Sequence, residues 1–73
     1  MENQLVFDKE YLRKFTTTRM PFGKYKGVLL IDVPEEYIVW FENEGFPDGE
    51  FGKLMRELYE IKVNGLEYLF KNI

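Results

Sequence analysis

Apolar residues recur along this chain in three rhythms, and each rhythm predicts a different element. Phe7, Tyr11, Leu12 and Phe15 fall at i, i+4, i+5 and i+8, the spacing of one helical face about two turns long, with Asp8 placed to cap it. Thr16, Thr17 and Thr18 follow. Three β-branched residues end that pattern and lead into a short strand through Met20. Pro21 has no N–H to give a ladder, so this strand stops there or lies at an edge. Beyond a turn bounded by Gly23 and Gly27, the run Val28-Leu29-Leu30-Ile31 reads as the returning strand of a β-hairpin.

The second half of the chain keeps a helical period. Asp32 followed three residues later by Glu35 is a helix-start signature, and Pro34 is tolerated in a first turn. Tyr37, Ile38, Trp40 and Phe41 give that helix a broad apolar face. Gly45 suits the left-handed position that ends a helix, with Phe46 packing back on Phe41 and Pro47 enforcing the stop. Asp48 is placed to cap a last helix, whose stripe runs Phe51, Leu54, Met55, Leu58, Ile61. Asn64-Gly65 predicts a break or bend, with Leu66 pairing back onto Ile61. The pattern as a whole predicts one small α+β domain over residues 1–73: an N-terminal helix, a β-hairpin, then two or three helices packed on it.

Composition tightens this picture. A chain of 73 residues buries only about 60% of its unfolded surface, so its stability margin is thin. It has no cysteine and no histidine, so a disulfide, a thiolate-held zinc and an imidazole ligand are all excluded. Aromatic residues make up 18% of the chain and supply the core volume that a short chain otherwise lacks. Self-association is the other remedy open to a small domain, which keeps a homodimer in view. Formal net charge is −3, divided unevenly: residues 1–31 hold six Lys/Arg against three acids, and residues 32–73 hold four against ten. Such polarity can steer a partner or align two copies, while the acidic total disfavours strong non-specific nucleic-acid binding. No apolar run approaches the roughly 20 residues that span a bilayer. The opening MENQLVFDKE lacks a basic segment followed by an apolar one, so the expected location is the cytoplasm.

The inventory of reactive groups is short. With no Ser, Cys or His, neither the serine nor the cysteine triad can be assembled, and the chain is expected not to be an enzyme. Asp32 with Glu35 and Glu36, or Asp48 with Glu50, are acidic clusters that a magnesium-dependent enzyme would need. Both fall where helix N-termini favour negative charge without any metal, so no metal site and no cofactor are expected.

Chemistry concentrates in Gly23-Lys24-Tyr25-Lys26-Gly27. The phosphate loop of the Walker type needs G-x-x-x-x-G-K-[ST], which is absent. A dinucleotide fingerprint needs a helix after the loop, where an apolar run follows instead. What remains is a turn offering Lys24 and Lys26 to phosphates and Tyr25 to a base, with Arg19 as a third cation and Phe22 alongside. The plain alternative is a turn whose glycines supply positive φ and whose lysines keep it soluble. Tyr37, Trp40 and Phe41 carry a similar ambiguity between core and partner surface.

The run MPFGKYKGVLLIDVPEEYIVWF, with the later YEIKVNGLEYLF, resembles a family of small bacterial proteins labelled as quorum-sensing-regulated virulence factors. The resemblance covers roughly residues 19–70. The label names a circumstance of expression and not a chemistry. More loosely, the F-G-K-Y-K-G segment with Tyr37 and Trp40 is similar to the carboxy-terminal accessory domain behind exodeoxyribonuclease X-like nucleases. That resemblance implies handling of a substrate or a nuclease-type partner, with Phe22, Lys24, Tyr25 and Lys26 as the contact positions. The functional expectation is a non-catalytic binding module for nucleic acid that uses the basic-aromatic turn. The alternative is a protein-interaction or homodimeric regulatory module that uses the aromatic helix faces.

Overall fold

The computed structural model describes residues 9–71. Helix α1 spans Lys9–Thr17, α2 Glu35–Glu44 and α3 Glu50–Val63, with 3-10 turns at Leu30–Asp32 and Glu67–Phe70. Leu12 and Phe15 of α1 are buried as their spacing predicts, while Phe7 and Asp8 lie outside the described residues. Thr16 and Thr17 remain helical. Their hydroxyls donate to the Arg13 carbonyl at 2.8 and 3.1 Å, which satisfies them inside the last turn.

The expected α+β class and its β-hairpin are overturned: the described residues contain no strand, and the architecture is mainly helical. The segments on either side of the turn meet at one isolated antiparallel bridge, Arg19 with Leu29. Met20 N–H donates to the Val28 carbonyl, Gly27 N–H to Met20, and Leu30 N–H to Thr18, at 2.8, 2.8 and 2.9 Å. Pro21 has no N–H to extend this ladder. On the other side the chain coils at once, with Asp32 N–H donating to Leu29 and Val33 N–H to Leu30. The reason is burial. Residues three apart share a face in a 3-10 turn but point to opposite faces of a strand. Coiling therefore buries Leu30 and Val33 together, both fully.

Neither helix start uses its predicted acid. Pro34 is the N-cap of α2, its carbonyl accepting from Tyr37 and Ile38 N–H, and Asp32 belongs to the 3-10 turn. Gly49 is the N-cap of α3, with no side-chain cap from Asp48 or any other residue. The helix ends follow expectation more closely. Gly45 takes φ +100° after α2, and Phe46 packs on Phe41 with ring centroids 5.2 Å apart. After α3, Leu66 N–H donates to Ile61 at 2.8 Å and Gly65 N–H to Lys62 at 3.3 Å. This is the double bond of a Schellman stop, made possible by φ +69° at Gly65.

One core joins the elements: Phe15 of α1, Met20, Leu30 and Val33 of the connecting loop, Ile38 of α2, and Met55, Leu58 and Ile61 of α3. Two contacts fix how the parts sit. Helix α3 passes directly beneath the α2–α3 corner at Gly52, where a Cβ would lie 1.6 Å from the Pro47 carbonyl oxygen. Lys62, buried on α3, donates from Nζ to the Ile31 and Val33 carbonyls at 2.9 and 2.8 Å and pairs with Glu67 at 3.2 Å. An ammonium has three N–H donors, and each meets an acceptor. This cation ties α3, the first 3-10 turn and the second one together.

Candidate functional site

The turn at residues 22–28 lies against α2. Lys26 N–H donates to the Gly23 carbonyl at 3.1 Å and Val28 N–H to Tyr25 at 2.9 Å, so two successive turns reverse the chain in a small space. Gly23 makes this possible twice over. Its φ is +82°, and a Cβ there would come within 2.9 Å of the Tyr37 hydroxyl. A side chain at this position would be strained in its backbone and would displace the Tyr37 hydroxyl. Arg19 does not reach outward from a strand; its Nη1 donates to the Gly27 carbonyl at 2.7 Å and pins the far end of the turn.

This packing brings two sets of predicted residues into one surface. Tyr25 folds back onto the body of the molecule, half-buried, with its ring edge-on to Tyr37 at 4.9 Å. Lys24 Nζ stands 5.5 Å from the Tyr25 ring centroid, within cation–π range, and Lys26 is exposed on the same turn. Tyr37 then meets Trp40 at 5.3 Å, and Trp40 meets Phe41 at 6.3 Å. Phe22 contacts Phe41 at 6.1 Å and Phe51 at 5.7 Å. Tyr25, Tyr37, Trp40, Phe41, Phe22 and Phe51 thus form an unbroken chain of rings that crosses from the turn to α2 and α3.

Within that chain the rings divide into supports and outcrops. Phe41 is buried, and Tyr25, Tyr37 and Phe51 are partly buried. Phe22 and Trp40 keep 47% and 52% of their surface in solvent. Both rest on Phe41, so they form a ledge of two half-exposed rings over a shared apolar base. The sequence placed Phe51 only in the core stripe of α3. Its contact with Phe22 spans 29 positions, and no local spacing carries a signal for it.

Charge is arranged asymmetrically around the ledge. Lys24 and Lys26 lie on the turn side. Helix α2 carries no cation, and Glu36 and Glu44 sit four residues either side of Trp40, adjacent to it on the helix surface. A shallow open depression beside them is lined by Glu35, Glu36 and Val39. Asp32, Glu35, Glu36, Asp48 and Glu50 do not gather as ligands, for no group of three or more acidic side chains able to hold a metal ion occurs among the described residues. No helix among those residues is long and apolar enough to cross a membrane.

Comparison with known proteins agrees with the motif. A family model described as "Putative quorum-sensing-regulated virulence factor" matches residues 8–73. The chain is 51% identical over 63 residues to "Uncharacterized protein YpeB" of Escherichia coli strain K12, covering 85% of this chain and 88% of that protein. The protein of the same description from Escherichia coli O157:H7 matches with the same identity and coverage. No solved structure matches.

Proposed function

The chain belongs to the "Putative quorum-sensing-regulated virulence factor" family, and within it we propose a non-catalytic binding module that handles nucleic acid in the cytoplasm through the turn and the α2 face. One observation carries this reading: Phe22 and Trp40 stand half-exposed on Phe41, next to a turn that offers Lys24 and Lys26. Exposed rings beside cations are the parts from which nucleic-acid surfaces are made. Tyr25 has a different role from the one its position in the sequence suggests. Packed on Tyr37, it stiffens the turn and holds Lys24 beside the ledge.

The test is an anisotropy titration of labelled single-stranded DNA, duplex DNA and RNA at two salt concentrations. Binding is expected to weaken as salt rises and to be lost in the Lys24→Glu/Lys26→Glu double variant. Unchanged binding in that variant would overturn the reading. A second reading, a protein-interaction or homodimeric module, is favoured by the Glu36 and Glu44 carboxylates flanking Trp40. An apolar centre with a polar rim of both signs is the usual anatomy of a protein interface. Sedimentation showing a monomer at every concentration would remove its homodimeric form.

A further inference from the structure

We propose, resting on the nucleic-acid reading above, that the ledge takes single-stranded nucleic acid, with unpaired bases stacked on Phe22 and Trp40 and backbone phosphates on Lys24 and Lys26. The argument begins from what the surface lacks. Proteins that hold a duplex through its backbone commonly neutralise about 6–10 phosphates. Here the site offers Lys24, Lys26 and Arg19, whose exposed guanidinium keeps N–H donors beyond the one given to the Gly27 carbonyl. Three phosphate contacts on a single strand correspond to a salt slope of only about −2.1 in log–log form. That is weak attraction for a protein of net charge −3.

Groove entry fails as well. The element nearest the ledge is α2, which carries Glu35, Glu36, Glu42 and Glu44 and no Lys or Arg. A helix of that charge is repelled by the phosphates lining a groove. Affinity at this site must therefore come from the rings, and only unpaired bases expose π-faces to stack on them. Phe22 and Trp40 have the exposure to do this and share a rigid base in Phe41. Tyr25 and Tyr37 do not, since their rings pack on each other. The carboxylates of Glu36 and Glu44 flank Trp40 before and after it along α2, so the strand runs between them, across the helix, toward Lys24 and Lys26.

Trp40 is the only tryptophan in the chain, so its fluorescence reports on the site directly. The experiment titrates the intact protein with unlabelled dT and rU oligomers and with a DNA duplex of matched length. The expected result is quenching by both single strands and none by the duplex. Phe22→Leu keeps the apolar volume but removes the π-face, and it should weaken single-strand binding roughly tenfold with an unchanged circular dichroism spectrum. Trp40→Phe, followed by anisotropy, should bind within a few-fold of the parent because a ring remains. Glu44→Gln should tighten binding. Duplex binding as tight as single-strand binding, without quenching, would overturn this inference and leave the nucleic-acid reading intact. Full affinity retained in both Phe22→Leu, read by quenching, and Trp40→Leu, read by anisotropy, would also overturn it. Absence of any nucleic-acid binding at low salt would overturn both, and would give the face to a protein partner.

Discussion

Lys62 is 8% exposed and Trp40 is 52% exposed, the reverse of where an ammonium and an indole usually reside. The two departures have different explanations. Around Lys62 the fold supplies two carbonyl oxygens and a carboxylate for three donors, so the buried cation is fully used in holding three segments together. Around Trp40 the fold supplies a floor of Tyr37 and Phe41 and leaves the rest of the indole in water. An anomaly that internal contacts consume needs no ligand. An anomaly that they leave over is where a ligand belongs. The comparison thus separates an anchored side, built on α3, from the ledge on the turn and α2.

The strongest test of that separation lies at the α2–α3 corner. Gly52→Ala should gain about 1 kcal/mol from helix propensity, yet its Cβ would meet the Pro47 carbonyl oxygen at 1.6 Å. Backbone, unlike a flexible side chain, has little room to give, so overpacking wins by about 3 kcal/mol or more. In a domain of this size the melting temperature should fall by on the order of 15 °C. A melting curve no lower than the parent's would show that the corner is not anchored.

Next in size is Lys62→Met, which keeps the apolar stem but leaves the Ile31 and Val33 carbonyls without their donor. Hydrogen bonds to a charged group are worth about 1.5–3 kcal/mol, and a loss of about 2–3 kcal/mol in urea unfolding is expected. Glu67 is half-exposed, and Glu67→Gln should cost under about 1 kcal/mol. Equal losses for the two variants would mean that the ion pair, and not the carbonyl contacts, fixes α3 to the loop.

These two residues also mark where the sequence is and is not legible. Helix periods, the stops at Gly45 and Gly65 and the Phe41–Phe46 contact are local, depending on residues within about one turn of each other. They can be read directly. Val28–Ile31 cannot. Its composition suits a strand, but the need to bury Leu30 and Val33 on one face decides for a 3-10 turn, and that face is supplied by other elements. Asp48 and Asp32 satisfy a capping pattern, yet Gly49 and Pro34 take the cap positions. The burial of Lys62 gives no signal, since its two carbonyl acceptors lie 29 and 31 residues away. Of the ledge, the members were legible and their union was not: Tyr37, Trp40 and Phe41 share a helix, but only the fold brings Phe22 and Tyr25 to them.

On the ledge the stability cost should be small. Trp40→Ala removes a ring that is half in solvent and should cost about 1 kcal/mol in unfolding. Any loss of nucleic-acid affinity should then exceed the loss of stability. A destabilisation matching that of Lys62→Met would make Trp40 a core residue and erase the contrast between the two sides.

The smallest expected effect sharpens the anchored side by pH. Tyr11, on α1, is held above the ordinary phenol range by burial, with the negative charges of Glu57 and Glu50 adding to the shift. Its ring packs edge-on to Phe15 at 5.7 Å, and Lys14 one turn on pairs with Glu50 of α3 at 3.6 Å, so the phenolate would have to form where α1 faces the carboxylates of α3. Because the folded pKa is raised, the folded state holds the proton more tightly than the unfolded state does. The associated stability is therefore complete below the unfolded value near pH 10 and is lost as pH rises through the folded one. Tyr11→Phe keeps the ring and removes the proton. Urea midpoints at neutral pH and above pH 10 should show a shallower alkaline decline in this variant than in the parent. Identical declines would mean that Tyr11 ionises as readily in the folded chain as in the unfolded one, and that the α1–α3 contact is open to water.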